Sequence, residues 1–422
     1  MKKLLTAALS MILLAGCGQN ATLNTAPIQG EVKVLEYVPD EIIVKYKNAG
    51  YSVNAAESQM RYSLPNSVKL DSLSLDAQDD TNLVRVPMGM KAEQAIALYS
   101  QNQEVEFAQQ NYRVNVRGSL QVSRFSVQSN DARSKEQWYL PFLHVEDAWK
   151  ASTGANVVVA VLDTGIDNSH PDLAGQIIPG PDFAEGKDSK DVFGHGTHVA
   201  GIVAARSNNG TGVAGIAPGS KVLSIKVLDK TGGGSIFAIA KGIKYAADYG
   251  VKNKCHVVIN MSLGGQSTFD PLNMLAGWYA ARRGALLVAA SGNNNAAVNS
   301  PARIKYFMAV GASDSKDQKA GFSCYGKELS LAAPGVNMMS TTPTYKVPLN
   351  DYGYSQEYAA LQGTSMATPV VSGIAALVWS RHPDWKAEQV REKLEKSVKD
   401  LGAPGRDEYF GFGRIDALAA VQ

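Results

Sequence analysis

At 422 residues and 45% hydrophobic content, the chain is long enough for two or three domains and a sizeable core. Its 41 basic and 39 acidic residues leave a formal net charge of +2, with no basic run, which excludes nucleic acid as the main partner.

Lys2 and Lys3 precede an apolar run over residues 4–14, too short to span a bilayer and of the size of a signal-peptide core. The run ends in Leu14-Ala15-Gly16-Cys17, which resembles the lipobox of bacterial lipoproteins. That resemblance implies a signal peptide over residues 1–16, a lipid on Cys17 that can hold the exported chain at the cell envelope membrane, and a tether over 17–31. The alternative is an ordinary signal peptide cut nearby, with Cys17 incidental. Gly18 follows the cysteine, so the aspartate that retains Gram-negative lipoproteins at the inner membrane is absent. Cys255 and Cys324 remain; free thiols are the preferred reading, and their pairing stays open.

Residues 32–115 read as a compact unit. Glu41-Ile42-Ile43-Val44-Lys45-Tyr46 and Leu83-Val84-Arg85-Val86 predict strands, residues 92–99 a helix, and Val105-Glu106-Phe107-Ala108 a closing strand, a small α+β sandwich. From Arg113 to Lys135 the pattern dissolves into Ser, Gln, Asn and Arg. Residues 116–135 read as a linker, and linkers are where proteases cut.

In residues 136–422, apolar runs at 157–162, 222–227, 257–261, 285–290 and 307–310 end in Gly- or Asn-rich turns and alternate with helical stretches. That alternation predicts a mainly parallel sheet covered on both faces. Sites in such sheets gather beyond the carboxyl ends of the strands, where Asp163, Ser262 and Asn293 fall.

Three segments carry the chemistry. Gly363-Thr364-Ser365-Met366-Ala367-Thr368-Pro369 puts a serine where a loop becomes a long apolar helix, downstream of Val161-Leu162-Asp163-Thr164-Gly165 and Gly194-His195-Gly196-Thr197-His198. A serine hydroxyl is a poor nucleophile until an imidazole takes its proton, and the imidazole needs a carboxylate to fix its tautomer and stabilise its charge. All three groups are present in the order Asp, His, Ser, which points to a serine protease. The helix dipole behind Ser365 favours developing negative charge, and Pro369 sits in the first turn, where a missing N–H costs little. His198 reads as a packed structural residue.

These segments resemble the signatures of the subtilisin family of serine proteases, the subtilases, over residues 136–422, including the final Gly411-Phe412-Gly413-Arg414-Ile415-Asp416. The resemblance implies an α/β subtilisin-like three-layer fold with a mainly parallel central sheet, preceded by a small α+β propeptide domain. It implies an endopeptidase in which Ser365 is the nucleophile, His195 the general base and then acid, and Asp163 the orienting carboxylate. Ala289-Ala290-Ser291-Gly292-Asn293 resembles the family segment whose asparagine donates to the oxyanion, so Asn293 takes that role beside the Ser365 N–H.

Ser262-Leu263-Gly264-Gly265 resembles the edge that pairs with substrate backbone, and with Ala290, Ser291 and Gly292 it frames the main specificity pocket, Asn299 at its floor. Ser207-Asn208-Asn209-Gly210-Thr211-Gly212-Val213 resembles the family's calcium loop, in which Asn209 and Asp172 would ligate a structural Ca²⁺, with Gln137 as candidate N-terminal ligand. No catalytic cofactor is implied.

The 32–115 unit resembles a subtilase propeptide at Val38-Pro39-Asp40-Glu41-Ile42-Ile43-Val44-Lys45 and Val105-Glu106-Phe107-Ala108-Gln109-Gln110-Asn111-Tyr112. This implies an intramolecular inhibitor and folding assistant whose tail occupies the cleft of a self-processing zymogen, cut between Arg113 and Lys135. The mature domain then stays at the membrane through Cys17 or becomes extracellular; the position of the cut leaves this open. Protein or peptide substrates and a monomeric chain are expected.

Other readings explain less. Asp163-Thr164-Gly165 lacks the second copy an aspartic protease needs, His195 and His198 lack the His-Glu-x-x-His spacing of a metalloprotease, and Ala367 breaks the Gly-x-Ser-x-Gly of an esterase. A binding protein on the same fold, without turnover, would be favoured by loss of Asp163, His195, Ser365 or Asn293; all four are present.

Overall fold

The computed structural model of the protein describes residues 37–47, 64–75, 80–116, 130–186, 189–266 and 270–422. The signal peptide, the tether and Cys17 lie outside the described residues.

The N-terminal region contains β1 (Tyr37–Tyr46), β2 (Val68–Leu73), β3 (Asp80–Arg85), α1 (Ala92–Ser100) and β4 (Val105–Asn115). Its strands are antiparallel in the order β2-β3-β1-β4. Successive strand side chains point to opposite faces. Ile42 and Val44 therefore pack with Val84, Ala95, Tyr99 and Val105 on the α1 side, while Ile43 joins the core of the larger region. The expected closing strand over 105–108 runs seven residues further, because its end finds partners outside its own sheet.

The larger region supplies β5 (Val157–Asp163), β6 (Ile177–Asp182), α2 (His195–Ala204), β7 (Lys221–Lys226), β8 (Gly233–Ser235), α3 (Ile236–Asn253), β9 (His256–Met261), α4 (Pro271–Arg282) and β10 (Leu286–Ala290). It continues with β11 (Phe307–Ser313), β12 (Leu329–Pro334), β13 (Met338–Thr341), β14 (Tyr358–Leu361), α5 (Thr364–Arg381), α6 (Ala387–Lys396), β15 (Val398–Lys399), β16 (Arg414–Ile415) and α7 (Ala417–Val421). Nine strands form one sheet in the order β15-β16-β12-β11-β10-β9-β5-β7-β6, parallel except at the β15–β16 edge.

Both faces of this sheet are dry, which is why its strands read as continuous apolar runs. Val157, Val159 and Val161 pack on the face covered by α2 and α5; Val158, Ala160 and Leu162 pack under α3 and α4. Helix α5 is buried along nearly its whole length, as expected of a helix apolar all round. Among the described residues no helix is long and apolar enough to cross a membrane.

Candidate active site

Asp163 is the last residue of β5 and only 1% exposed. Its Oδ1 accepts the Thr164 N–H at 2.8 Å, and its two oxygens meet His195 Nδ1 at 2.8 and 3.0 Å. The partnership fixes the ring with Nδ1 toward the carboxylate, leaving Nε2 as the working nitrogen. His195 opens α2, and the glycine behind it is obligatory: a Cβ on Gly196 would stand 2.1 Å from Gly165 O and 3.1 Å from Asp163 Cβ. The close approach of strand end to helix start depends on that missing methyl.

A second carboxylate, which sequence reasoning did not single out, ties these two elements together. Asp191 is buried, and it accepts from Thr164 Oγ1 (2.8 Å), Phe193 N (3.0 Å), Gly194 N (2.7 Å), Thr197 N (2.8 Å) and Thr197 Oγ1 (2.6 Å). Thr164 Oγ1 in turn accepts the Gly196 N–H at 3.0 Å. Burial pushes the Asp191 carboxyl up, and its hydrogen bonds act in the opposite direction. The signal available in the sequence was an aspartate shortly before a helix start, the position of a capping residue.

Ser365 lies in the first turn of α5, 4% exposed. Its hydroxyl donates to Ser262 O at 3.1 Å, and the Ser262 hydroxyl donates back to Ser365 O at 2.7 Å. The Ser365 hydroxyl therefore rests on Ser262, with no hydrogen bond to His195. Asn293 Oδ1 accepts Thr364 N (2.8 Å) and Thr364 Oγ1 (3.0 Å), which orients its amide with the nitrogen on the opposite side. The space that a Cβ on Gly363 would fill is 3.3 Å from Asn293 Nδ2 and 3.6 Å from Ser365 N. Both donors therefore stand on the same side of the Gly363 turn, with Asn293 Oδ1 3.7 Å from the same point.

Ser262, Leu263, Gly264 and Gly265 continue from β9, and Gly265 exchanges N–H···O bonds with Ser300 at 3.0 and 3.1 Å. Ala290 ends β10, Ser291 N–H reaches Val310 O at 3.0 Å, and Asn299 N–H reaches Ser291 O at 2.9 Å. A Cβ on Gly292 would overlap Asn299 Nδ2 at 2.3 Å, so Asn299 closes this end of the segment. A second edge, Gly232 to Ser235, lies across from Gly264, and β4 runs between the two. Only the edge from Ser262 to Gly265 was legible in the sequence.

Of the expected metal ligands, Asp172 is buried, taking Asn209 Nδ2 at 2.9 Å and Val213 N at 2.7 Å. Asn209 Oδ1 accepts Thr211 N at 2.8 Å. Gln137 faces elsewhere: its amide holds Ala214 N, Ala214 O and the Tyr139 hydroxyl, each at 2.7 Å. Asp131, not named from sequence, caps the same loop through Asn208 N and Asn209 N, both at 2.8 Å. Burial, and behind it the Asp131 charge, pushes the Asp172 carboxyl above its usual range. The two carboxylates come from separate segments beside the 207–213 loop, and hard oxygen donors of this kind suit Ca²⁺. Among the described residues no group of three or more His, Cys, Asp or Glu is assembled.

His198 is a packed residue. Its Nε2 lies 2.9 Å from Met338 O and 3.0 Å from Ala359 O, and burial holds it neutral. Cys255 and Cys324 are both free thiols, and Cys324 Sγ donates to Asn294 Oδ1 at 2.8 Å.

The model of the subtilase family matches residues 154–413, and that of the fervidolysin N-terminal prodomain matches 24–111. Thermitase of Thermoactinomyces vulgaris is 40% identical over 69% of this chain and 99% of its own. The thermophilic serine proteinase of Bacillus sp. strain AK1 is 35% identical over 91% of this chain and 88% of its own. The crystal structure of fervidolysin from Fervidobacterium pennivorans, a keratinolytic enzyme related to subtilisin, superposes with a TM-score of 0.78 at 28% identity. That match covers 93% of this chain, which spans 62% of the fervidolysin chain. A two-sided parallel sheet, the motifs at its strand ends and these likenesses converge: the chain belongs to the subtilase family of serine endopeptidases, with a fervidolysin-type prodomain at its N-terminal end.

Proposed function

We propose that Ser365 attacks the substrate carbonyl while His195 takes its proton, with Asp163 orienting the imidazole and stabilising its charged form. The observation that carries this reading is the Asp163–His195 pair at 2.8 Å at the end of β5, with Ser365 bonded to Ser262 just past the end of its parallel neighbour β9. Rotation about the Ser365 Cα–Cβ bond moves the hydroxyl off Ser262 O and onto the histidine. Asn293 Nδ2 and the Ser365 N–H receive the oxyanion; in a subtilisin, loss of the asparagine donor costs about 10²–10³-fold in kcat. His195 then returns the proton to the leaving amine, and water hydrolyses the acyl-enzyme.

Substrate adds as a strand between Gly232–Gly234 and Ser262–Gly265, so main-chain hydrogen bonds carry much of the affinity and cleavage is broad. Ala290, Ser291 and Gly292, with Asn299, frame the pocket for the residue whose carbonyl is attacked. The protein is made as a self-processing zymogen with residues 32–115 as inhibitor, 116–135 as the connection that is cut and 136–422 as the catalytic domain. It is exported by the signal over residues 1–16, held by a lipid on Cys17 and released when the cut parts the catalytic domain from its anchor. Intact mass of the wild type beside Ser365→Ala tests this. A shortened wild type and a full-length variant support self-processing; a Ser365→Ala chain processed without added protease overturns it.

Asp131, Asp172 and Asn209 would hold a structural Ca²⁺, whose charge would relieve the repulsion between the two carboxylates. Millimolar calcium is then expected to raise the melting temperature of the wild type and not of Asp172→Asn. Identical melting curves in calcium and in EGTA would remove the site.

A further inference from the structure

Helix α5 begins with a carbonyl that its own backbone cannot serve in the usual way. In an α-helix each C=O accepts the N–H of the residue four further on. For Ser365 that residue is Pro369, which stands inside the helix and has no N–H. Ser365 is buried, and an unpaired buried carbonyl is costly, so a donor must come from elsewhere in the protein.

The donor comes from the end of β9. The Ser262 hydroxyl reaches Ser365 O at 2.7 Å, in the place that the proline leaves open. Behind it stand two further groups, both fully buried. Asn260 Nδ2 donates to Ser262 Oγ at 3.1 Å, and the Ser372 hydroxyl donates to Asn260 Oδ1 at 2.9 Å.

Periodicity assembles this chain of donors. Asn260 and Ser262 alternate along one strand and its extension, so they share the face that carries Val258 toward α5. Ser372 follows Ser365 by two turns and shares its face of the helix. The chain leaves α5 at Ser372, crosses to β9 and returns to α5 at Ser365.

Its direction is set at the far end. Ser372 gives its hydrogen to Asn260 Oδ1, which turns the amide nitrogen toward Ser262. Ser262 Oγ accepts there, and its single hydrogen is left for Ser365 O. With the amide reversed, Ser262 would donate to Asn260 and the Ser365 carbonyl would lose its partner. Asn293 holds the preceding residue, through Thr364 N at 2.8 Å and Thr364 Oγ1 at 3.0 Å. The backbone of Ser365 is thereby fixed from both sides.

Two bonds join Ser365 to Ser262, and the reaction separates them. The one from the Ser365 hydroxyl to Ser262 O is released when the serine turns toward His195. The one from Ser262 Oγ to Ser365 O stays, and holds the backbone while the side chain rotates. We infer that Asn260 and Ser372 are positioning residues for the nucleophile, acting through Ser262 to keep the Ser365 turn aligned with His195 and the oxyanion donors. This rests on the reading of Ser365 as the nucleophile. A reacting group about 1 Å out of place can lose about a hundredfold in rate. Loosening one buried hydrogen bond should cost less, about tenfold.

The test compares Ser372→Ala and Ser372→Thr with the wild type, all trimmed of their N-terminal regions by added protease. The rate of labelling by a fluorophosphonate reads the reactivity of the serine, and kcat and KM for a peptide amide are taken per labelled molecule, so that a misfolded fraction does not enter. Ser372→Ala is expected to lower both the labelling rate and kcat by about tenfold with KM unchanged. Ser372→Thr, which keeps the hydroxyl, is expected to restore both. Wild-type kcat and labelling rate in Ser372→Ala would overturn the inference, and so would a change in KM alone. A threonine variant as slow as the alanine one would place the effect in packing and overturn it too. A wild type that hydrolyses peptides and takes no label on Ser365 overturns the reading of the nucleophile instead.

Discussion

The two sheets of this protein complete their cores in different ways. The nine-stranded sheet is covered by helices of its own region on both faces, with Val157, Val159 and Val161 on one side and Val158, Ala160 and Leu162 on the other. The small sheet covers one face with α1; its other face, through Ile43, Leu73, Leu75 and Val114, is closed by the apolar cluster that includes α3 and α4. One region closes both faces by itself, and the other closes one face and shares its second with its neighbour. Cutting the chain between them therefore does not by itself clear the cleft. Parting the regions still exposes an apolar face, at about 25 cal/mol per Å², and breaks the ladder to β8.

The largest effect expected separates chemistry from this packing. Ser365→Ala should lower kcat by about 10⁶-fold, the size known for loss of the nucleophile in a subtilisin, even after an added protease has trimmed its N-terminal region. Peptidase activity close to wild type in that variant would remove Ser365 from its role.

The next targets the self-sufficient region. Asp191→Ala, made in the Ser365→Ala background to prevent autolysis, strips five donors of their acceptor and should cost about 3 kcal/mol or more of unfolding free energy. Asp191→Asn should lose less. A urea midpoint unmoved by either substitution would mean that this carboxylate does not hold the two elements together.

Acid acts on the same core. Burial, with the nearby His195 behind it, lowers the His198 imidazole from 6.5 to about 3. The unfolded chain then binds a proton there in a window where the folded chain does not. Stability from this residue falls as the pH drops from about 6.5 toward 3, by about 1.4 kcal/mol per pH unit. His198→Gln, whose amide can still donate to the carbonyl groups of Met338 and Ala359, should flatten that slope. An acid titration of stability that matches the wild type would rule the linkage out.

The smallest effect tests the shared face. Val114→Ala removes about 1.5 kcal/mol of buried apolar contact, so the cut N-terminal region should dissociate about tenfold faster. The lag between cutting and full activity measures this, and an unchanged lag would show that Val114 does not hold the two regions together.

Much of the larger region was legible because its signals are short-range. Runs such as residues 157–162 read directly as doubly buried strands, and Asp163, His195 and Ser365 each stand at a strand end or a helix start, where such groups are exposed to a cleft. The 207–213 segment was legible as a loop, yet Asp131, the second carboxylate beside it, was not. It is 41 residues from Asp172 in sequence, and only the folded chain brings its charge to bear on that residue. Gln137, the N-terminal ligand that the family resemblance suggested, turns its amide to Ala214 and Tyr139 in the tertiary structure. Asp191 went unnoticed for a similar reason, since its partners include Thr164, 27 residues away on a different element.

By itself the sequence determined the alternation of buried strands and helices, the residue types available for nucleophile, base and oxyanion donor, and the end of the sheet at which they stand. These follow from local periodicity and from the chemistry of single motifs. Only the tertiary structure decided that Arg113 to Asn115, one valine between two polar residues, is a strand paired with β8. An extended segment held by main-chain hydrogen bonds needs no side-chain signature of its own, because the glycine edges that receive it lie more than a hundred residues downstream.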